Sequence, residues 1–257
     1  MSIFKEILQA FQNISCVTAI AIGGSIAAKT SDLKSDIDTY VFTNANIPTK
    51  IRKQIIKQYS KKFEIGGKYF GPGDEFFVDM MEQQLDFMYW DLNWLKKNVE
   101  EVWVKHYPAN GYTTAFLYTL NNFQIFYDKD GLLNKIQNSI KTKYPEELKQ
   151  NIITRNMMLM KDKPFASYYE QIEKALKRYD TISISHRIAA FMASYFDVLF
   201  AKNELLHPGE KRLVWYAKNN CKILPQDFEE NIDNLLSQPN INTLFILNDM
   251  VEKLRVL

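Results

Sequence analysis

Up to about residue 130 this chain alternates short apolar runs that read as strands with helical patterns, and beyond Gly131 only the helical spacing continues. A sheet can draw no strand from the second half, so an α/β layer must close within the first half and the remainder must pack helix on helix. The expected class is α+β: an N-terminal α/β domain with a mixed sheet over 1–130, then an α-helical bundle domain over 131–257. With 257 residues and 46% hydrophobic content, the chain is long enough for two cores.

The spacing predicts strands at Val17–Ile22, Ile37–Phe42, Phe76–Met80, Leu85–Tyr89 and Phe123–Tyr127, with helices at Ile3–Gln12, Pro48–Ser60 and Asn93–Lys105. Pro48 suits a first helical turn, where its missing N–H is not needed. The stretch Gly66-Gly67-Lys68-Tyr69-Phe70-Gly71-Pro72-Gly73 breaks regular structure before a hairpin and reads either as a flap or as a plain connection. In the second half, Pro145-Glu146-Glu147 opens a helix with acids favourable to its dipole. Phe165–Tyr179 is the next helix, then one capped by Thr181 or Ser183 that runs to Leu206, then Lys211–Asn219, with Pro225 and Pro239 punctuating two more.

Two short motifs carry the chemistry. Gly23-Gly24-Ser25 follows the strand Val17–Ile22 and leads into a helical turn through Lys29, and ten residues after Ser25 comes Asp36-Ile37-Asp38. Residues two apart on a strand share a face, so Asp36 and Asp38 stand together while Ile37 enters the core. Adjacent carboxylates repel unless a proton or a cation sits between them, and hard divalent cations take oxygen ligands. Glycines before a helix start let a phosphate approach backbone N–H groups closely.

In this order and spacing the motifs resemble the nucleotidyltransferase superfamily, which includes DNA polymerase β and the aminoglycoside and lincosamide nucleotidyltransferases. Its signature adds a third carboxylate on a later strand. Asp86 in Leu85-Asp86-Phe87-Met88-Tyr89-Trp90 fits, because a helix opens just after it near Asn93; Asp79 competes. The resemblance implies that Asp36, Asp38 and Asp86 are catalytic and hold Mg2+, two ions with Mn2+ as an alternative, and that Gly23, Gly24 and Ser25 hold the phosphates of a nucleoside triphosphate. Drug-modifying members often carry an arginine three residues after the loop serine; this chain has Ala28 there, and Lys29 beside it takes the phosphate role. The acceptor proton goes to Asp86 or to a residue of the helical domain such as Asp197.

A second resemblance covers the helical half. Gly111-Tyr112-Thr113-Thr114, Ser194–Ala201 and His207-Pro208-Gly209-Glu210-Lys211-Arg212 look like a bacterial group of uncharacterised proteins that join this nucleotidyltransferase domain to a helical domain. Ser183 to Ala201 holds so few ionisable side chains that it reads as buried nearly all round. Ser183, Arg187, Ala190, Ser194, Asp197 and Ala201 draw one stripe along it, which either lines a cleft with Arg187 on phosphate or acceptor, or meets neighbouring helices. Lys211 either belongs to an ordinary turn or reaches the triphosphate, as a lysine of the helical domain does in related transferases.

The implied activity is transfer of a nucleoside monophosphate to a hydroxyl of a small, antibiotic-like molecule. The rival readings are a nucleotide-binding regulatory or partner-binding module, with a protein partner, and a protein-modifying adenylyltransferase. A net charge of +2 with interspersed signs gives no footprint for extended nucleic-acid binding and disfavours a template-bound polymerase. No apolar run reaches membrane-span length, and the amphipathic N-terminus is not a signal peptide, so the expected location is cytoplasmic, without membrane contact. Cys16 and Cys221 are far apart and the three histidines are scattered, which supports neither zinc nor triad chemistry.

Overall fold

The computed structural model describes residues 2–24, 36–67, 71–237 and 242–257. By its internal contacts the chain forms two compact units, 1–100 with 119–142, and 101–118 with 143–257.

The first unit is built on a six-stranded mixed sheet. Its strands are β1 (Val17–Ile22), β2 (Ile37–Thr43), β3 (Lys62–Gly67), β4 (Gly73–Val78), β5 (Gln83–Trp90) and β6 (Gln124–Asp128), in the order β3-β4-β5-β2-β1-β6. β2 and β5 run parallel, and the other neighbours are antiparallel. One sheet face buries Ile20, Ile37, Val41, Phe76, Val78, Leu85 and Phe87 against α1 (Ile3–Gln12) and α2 (Thr49–Ile56), which contribute Ile7, Leu8, Phe11 and Ile56. α1 is a strongly amphipathic helix whose N-cap Ser2 accepts the Lys5 N–H. The other face carries an aromatic cluster in which Tyr40 meets Trp90 and Phe123, each with ring centroids 4.7 Å away. The helices α3 (Leu92–Val99) and α5 (Leu132–Ser139) pack on each other, and α5 packs on β6. The sequence reading assigned α5 to the helical half, beyond residue 130; its apolar Leu133 and Ile136 are buried within the first unit instead.

The glycine-rich connection between β3 and β4 is pinned at its described ends. Asp74 is buried and paired with Arg52, and its carboxylate also accepts the Gly66 N–H at 2.8 Å and the Tyr89 hydroxyl at 2.6 Å. Arg52 in turn donates to the Ile47 carbonyl at 3.2 Å and lies 4.7 Å over the Tyr89 ring. A buried ion pair is tolerated where its remaining donors and acceptors are satisfied, and here that satisfaction ties α2 to the hairpin.

The second unit is helical: α6 (Glu146–Met157), α7 (Tyr168–Lys177), α8 (Thr181–Lys202), α9 (Leu213–Asn220), α10 (Phe228–Ser237) and α11 (Thr243–Arg255). A further helix, α4 (Ala115–Asn122), bridges the division between the units. α8 is the centre of the second core, with Ile184, Ile188, Phe191, Tyr195, Val198 and Leu199 buried along it. It is not buried all round as its sequence suggests: full burial holds from Ala193 to Ala201, while much of the first half meets solvent. Its cap is Asp180, whose carboxylate accepts the Ser183 N–H at 3.0 Å, rather than Thr181 or Ser183. No helix among the described residues is long and apolar enough to cross a membrane.

Candidate functional site

Alternation along β2 sends Ile37 and Val41 into the core under α1 and turns Asp38, Tyr40 and Phe42 to the opposite face. β5 does the same, burying Leu85 and Phe87 and turning out Asp86. Asp38 and Asp86 are register partners on these parallel neighbours, so their carboxylates rise side by side from strands about 4.8 Å apart. Asp36, two residues before Asp38, is exposed at the entry to β2, and its charge is felt at both Asp86 and Glu75.

The row of acids continues beyond the sequence-predicted set. Glu75 on β4 is the partner of Asp86, and Glu64 on β3 is the partner of Glu75. Asp38, Asp86, Glu75 and Glu64 thus cross four adjacent strands on one face. Alternation within Gly73–Val78 was the signal that could have found Glu75, since Phe76 and Val78 commit the other side to the core. Burial pushes the Asp86 carboxyl above its ordinary value; the Gln84 amide, donating to Asp86 Oδ1 at 2.9 Å, pulls it back, and the Asp36 charge raises it again. Glu75 is raised as well, by desolvation and then by Asp86, Glu64 and Asp36. Asp79, the competing third acid, is exposed in the turn after β4.

Both glycines of the loop are required sterically. The Gly23 N–H continues the β1–β2 ladder by donating to the Asp38 carbonyl at 2.9 Å, and a Cβ at Gly23 would lie 2.5 Å from the Tyr40 ring. Gly24 has φ +63, and a Cβ there would fall 1.7 Å from Asp38 Oδ2. The loop backbone therefore lies directly against the Asp38 carboxylate. Burial, and then the Asp38 charge, push the Tyr40 phenol well above its ordinary value, so it stays neutral beside the acids. Ser25 and Lys29 lie outside the described residues.

The donors at this face are carboxylate oxygens, the chemistry that hard divalent cations such as Mg2+ and Mn2+ take, and the Gly24 backbone lies where any side chain would overlap the Asp38 carboxylate. Among the described residues, however, no three His, Cys, Asp or Glu side chains converge closely enough to hold a metal ion. The expected trio of Asp36, Asp38 and Asp86 is thus a cross-strand pair flanked by Asp36, not a closed ligand set. A cavity of about 130 Å3 lies elsewhere, lined by Thr43, Asp91 and Asp128 where β2 ends. Two of its aspartates are spent on helix starts: Asp91 accepts the Asn93 N–H at 2.8 Å and Asp128 the Asn134 N–H at 2.8 Å.

In the second unit the three segments singled out from sequence converge. Asp197 is buried and accepts the Thr113 N–H at 3.0 Å, the Thr113 hydroxyl at 2.6 Å and the Asn156 amide at 3.1 Å. Asn156 accepts the Gly111 N–H at 3.0 Å, and Gly111 packs so closely on α8 that a Cβ would lie 2.7 Å from that of Ala193. The Thr114 hydroxyl accepts the His207 N–H at 2.8 Å, and the rings of Tyr112 and His207 lie 4.7 Å apart. Burial holds His207 neutral, its imidazole pushed down to about 3, with Nδ1 accepting the Gly209 N–H. Asp197, considered from sequence as a base, is enclosed by its own donors and fixes the loop through Gly111 and Thr113. Arg187 is partly buried on α8, and Lys211 is exposed in the turn before α9.

Residues 111–213 match the model of a family described as a domain of unknown function, DUF4037. No curated protein matches the chain. Among solved structures it is similar to a nucleotidyltransferase-like protein from Exiguobacterium sibiricum 255-15, at 10% identity and a TM-score of 0.47, covering 98% of this chain and 73% of that one. It is also similar to spectinomycin adenyltransferase AAD(9) from Enterococcus faecialis, solved with ATP and spectinomycin, at 14% identity and a TM-score of 0.32, covering 98% of this chain and 96% of that one.

Proposed function

We propose that the chain is a nucleotidyltransferase that moves a nucleoside monophosphate from a nucleoside triphosphate to a hydroxyl of a small molecule. The observation that carries this reading is the pairing of Asp38 with Asp86 across β2 and β5, with the Gly24 backbone seated against the Asp38 carboxylate. Asp36, Asp38 and Asp86 would hold Mg2+, which when bound neutralises phosphate charge and eases deprotonation of the acceptor. Gly23 and Gly24 allow the phosphates to approach the backbone, with Ser25 and Lys29 completing that grip, and Arg187 and Lys211 are the proposed contributions of the helical unit. Asp86, already raised and half-buried, takes the acceptor proton. The acceptor oxygen attacks the α-phosphorus and pyrophosphate leaves with the bonding electrons. The rate enhancement comes from positioning and charge neutralisation. The motif's likeness to drug-modifying enzymes supports a small, hydroxyl-bearing, antibiotic-like acceptor.

Incubation with Mg2+, labelled nucleoside triphosphates and a panel of hydroxyl-bearing metabolites and antibiotics tests this reading. Pyrophosphate release and label transfer are expected with at least one acceptor, falling by about 100-fold or more in Asp36→Asn and Asp38→Asn. Turnover that survives both substitutions would sink the proposal.

A further inference from the structure

Asp86 stands in register between Asp38 and Glu75 and feels the charge of Asp36. A carboxylate so placed is driven to rotate or to swing away from its neighbours. Among the described residues, the hydrogen bond that opposes both comes from Gln84, whose Nε2 donates to Asp86 Oδ1 at 2.9 Å. The two side chains are two apart on β5, so they share the acidic face, and both are partly buried. An ionised carboxylate only accepts, which fixes the Gln84 amide with its NH2 toward Asp86.

The choice of residue type matters. A lysine or arginine would hold the carboxylate more strongly, but its charge would compete with a divalent cation for the same oxygens. A neutral amide orients the carboxylate and keeps the face negative. We propose that Gln84 is the positioning residue of the acidic face, fixing the Asp86 carboxylate through Oδ1 so that Oδ2 is left for a divalent cation. This inference rests on the nucleotidyl-transfer reading above. Gln84 does no chemistry itself and acts through Asp86.

Mn2+ titration of the full chain in the presence of ATP, read by electron paramagnetic resonance beside thermal melts, tests the inference. Gln84→Leu is expected to weaken Mn2+ binding about tenfold, the scale of losing a hydrogen bond that orients a ligand, with an unchanged melting temperature. Gln84→Lys is expected to abolish Mn2+ binding while raising the melting temperature, because its charge relieves repulsion along the row. Wild-type Mn2+ affinity in Gln84→Leu would overturn the proposal; if that variant fails to fold, retained binding in Gln84→Lys overturns it equally. A wild type that binds Mn2+ no better than Asp38→Asn would instead overturn the nucleotidyl-transfer reading, and this inference with it.

Discussion

One added methyl group is enough to test what Gly24 does. Its φ of +63 makes any other L-residue strained, and the new Cβ would fall on Asp38 Oδ2. Gly131 provides the comparison, since it has φ +68 with open space around it. Both alanine variants should lose about 1 kcal/mol of stability from backbone strain. Only Gly24→Ala should also displace the Asp38 carboxylate, cutting pyrophosphate release at least tenfold, by about 1.4 kcal/mol of lost transition-state stabilisation. Melts and pyrophosphate assays on the pair separate strain from site geometry; equal activity in the two variants would contradict the role given to Gly24. At this scale the sequence was a good guide where chemistry is local. Asp36, Asp38 and the two glycines lie within one short segment, and the antiparallel pairing of β1 with β2 sets Gly23 and Gly24 against Asp38. Alternation within Gly73–Val78 puts Glu75 on the outer face but not beside Asp86, which takes the strand register, and the role of Gln84 depends on its side-chain contact with Asp86.

At the scale of elements, the strands that alternate or run apolar were legible, and β1 begins and ends where its apolar run does. β3 was not, because Lys62-Phe63-Glu64-Ile65-Gly66-Gly67 ends in glycines that read as a break. It is a strand because β4 supplies its ladder and Asp74 accepts the Gly66 N–H. α8 was legible as a long helix, but the environment of its polar stripe was not. Ser194 and Asp197 are enclosed, and Asp197 is held by a loop more than 80 positions earlier in sequence, with |i−j| of 84. That enclosure has a pH signature. Burial pushes the Asp197 carboxyl up to about 7 against the pull of its donors, whereas an unfolded aspartate titrates near pH 3.9. The folded state therefore carries the extra proton between these values, and this group's contribution to stability falls as pH rises from about 4 to 7. Asp197→Asn, which sets an amide donor against the Thr113 N–H, should cost about 2 kcal/mol at pH 5. The gap to wild type should narrow toward pH 7.5, by at most about 1.4 kcal/mol per pH unit. Denaturant melts of both chains across that range check the sign; a gap that widens with pH would show that the carboxylate is stabilised as the ion.

For the whole molecule, a change of period near residue 130 led to the expectation of a sheet-bearing domain before it and a helical one after it. The division by contacts is less simple, because 101–118 belongs with the helical unit and 119–142 with the sheet. Such exchanges come from which core a segment's apolar face meets, a property that linear order does not carry. On the sheet face, Asp38 and Asp86, with Asp36 beside them and Gly24 against them, are proposed to form a divalent-cation and triphosphate site. Crystals soaked with Mn2+ and a non-hydrolysable nucleoside triphosphate, measured at the manganese absorption edge, test it most directly. The expected result is an anomalous peak within about 2.0–2.4 Å of carboxylate oxygens of Asp38 and Asp86, with the triphosphate over Gly23 and Gly24. A nucleotide bound elsewhere, or a manganese peak that none of Asp36, Asp38 and Asp86 touches, would contradict it.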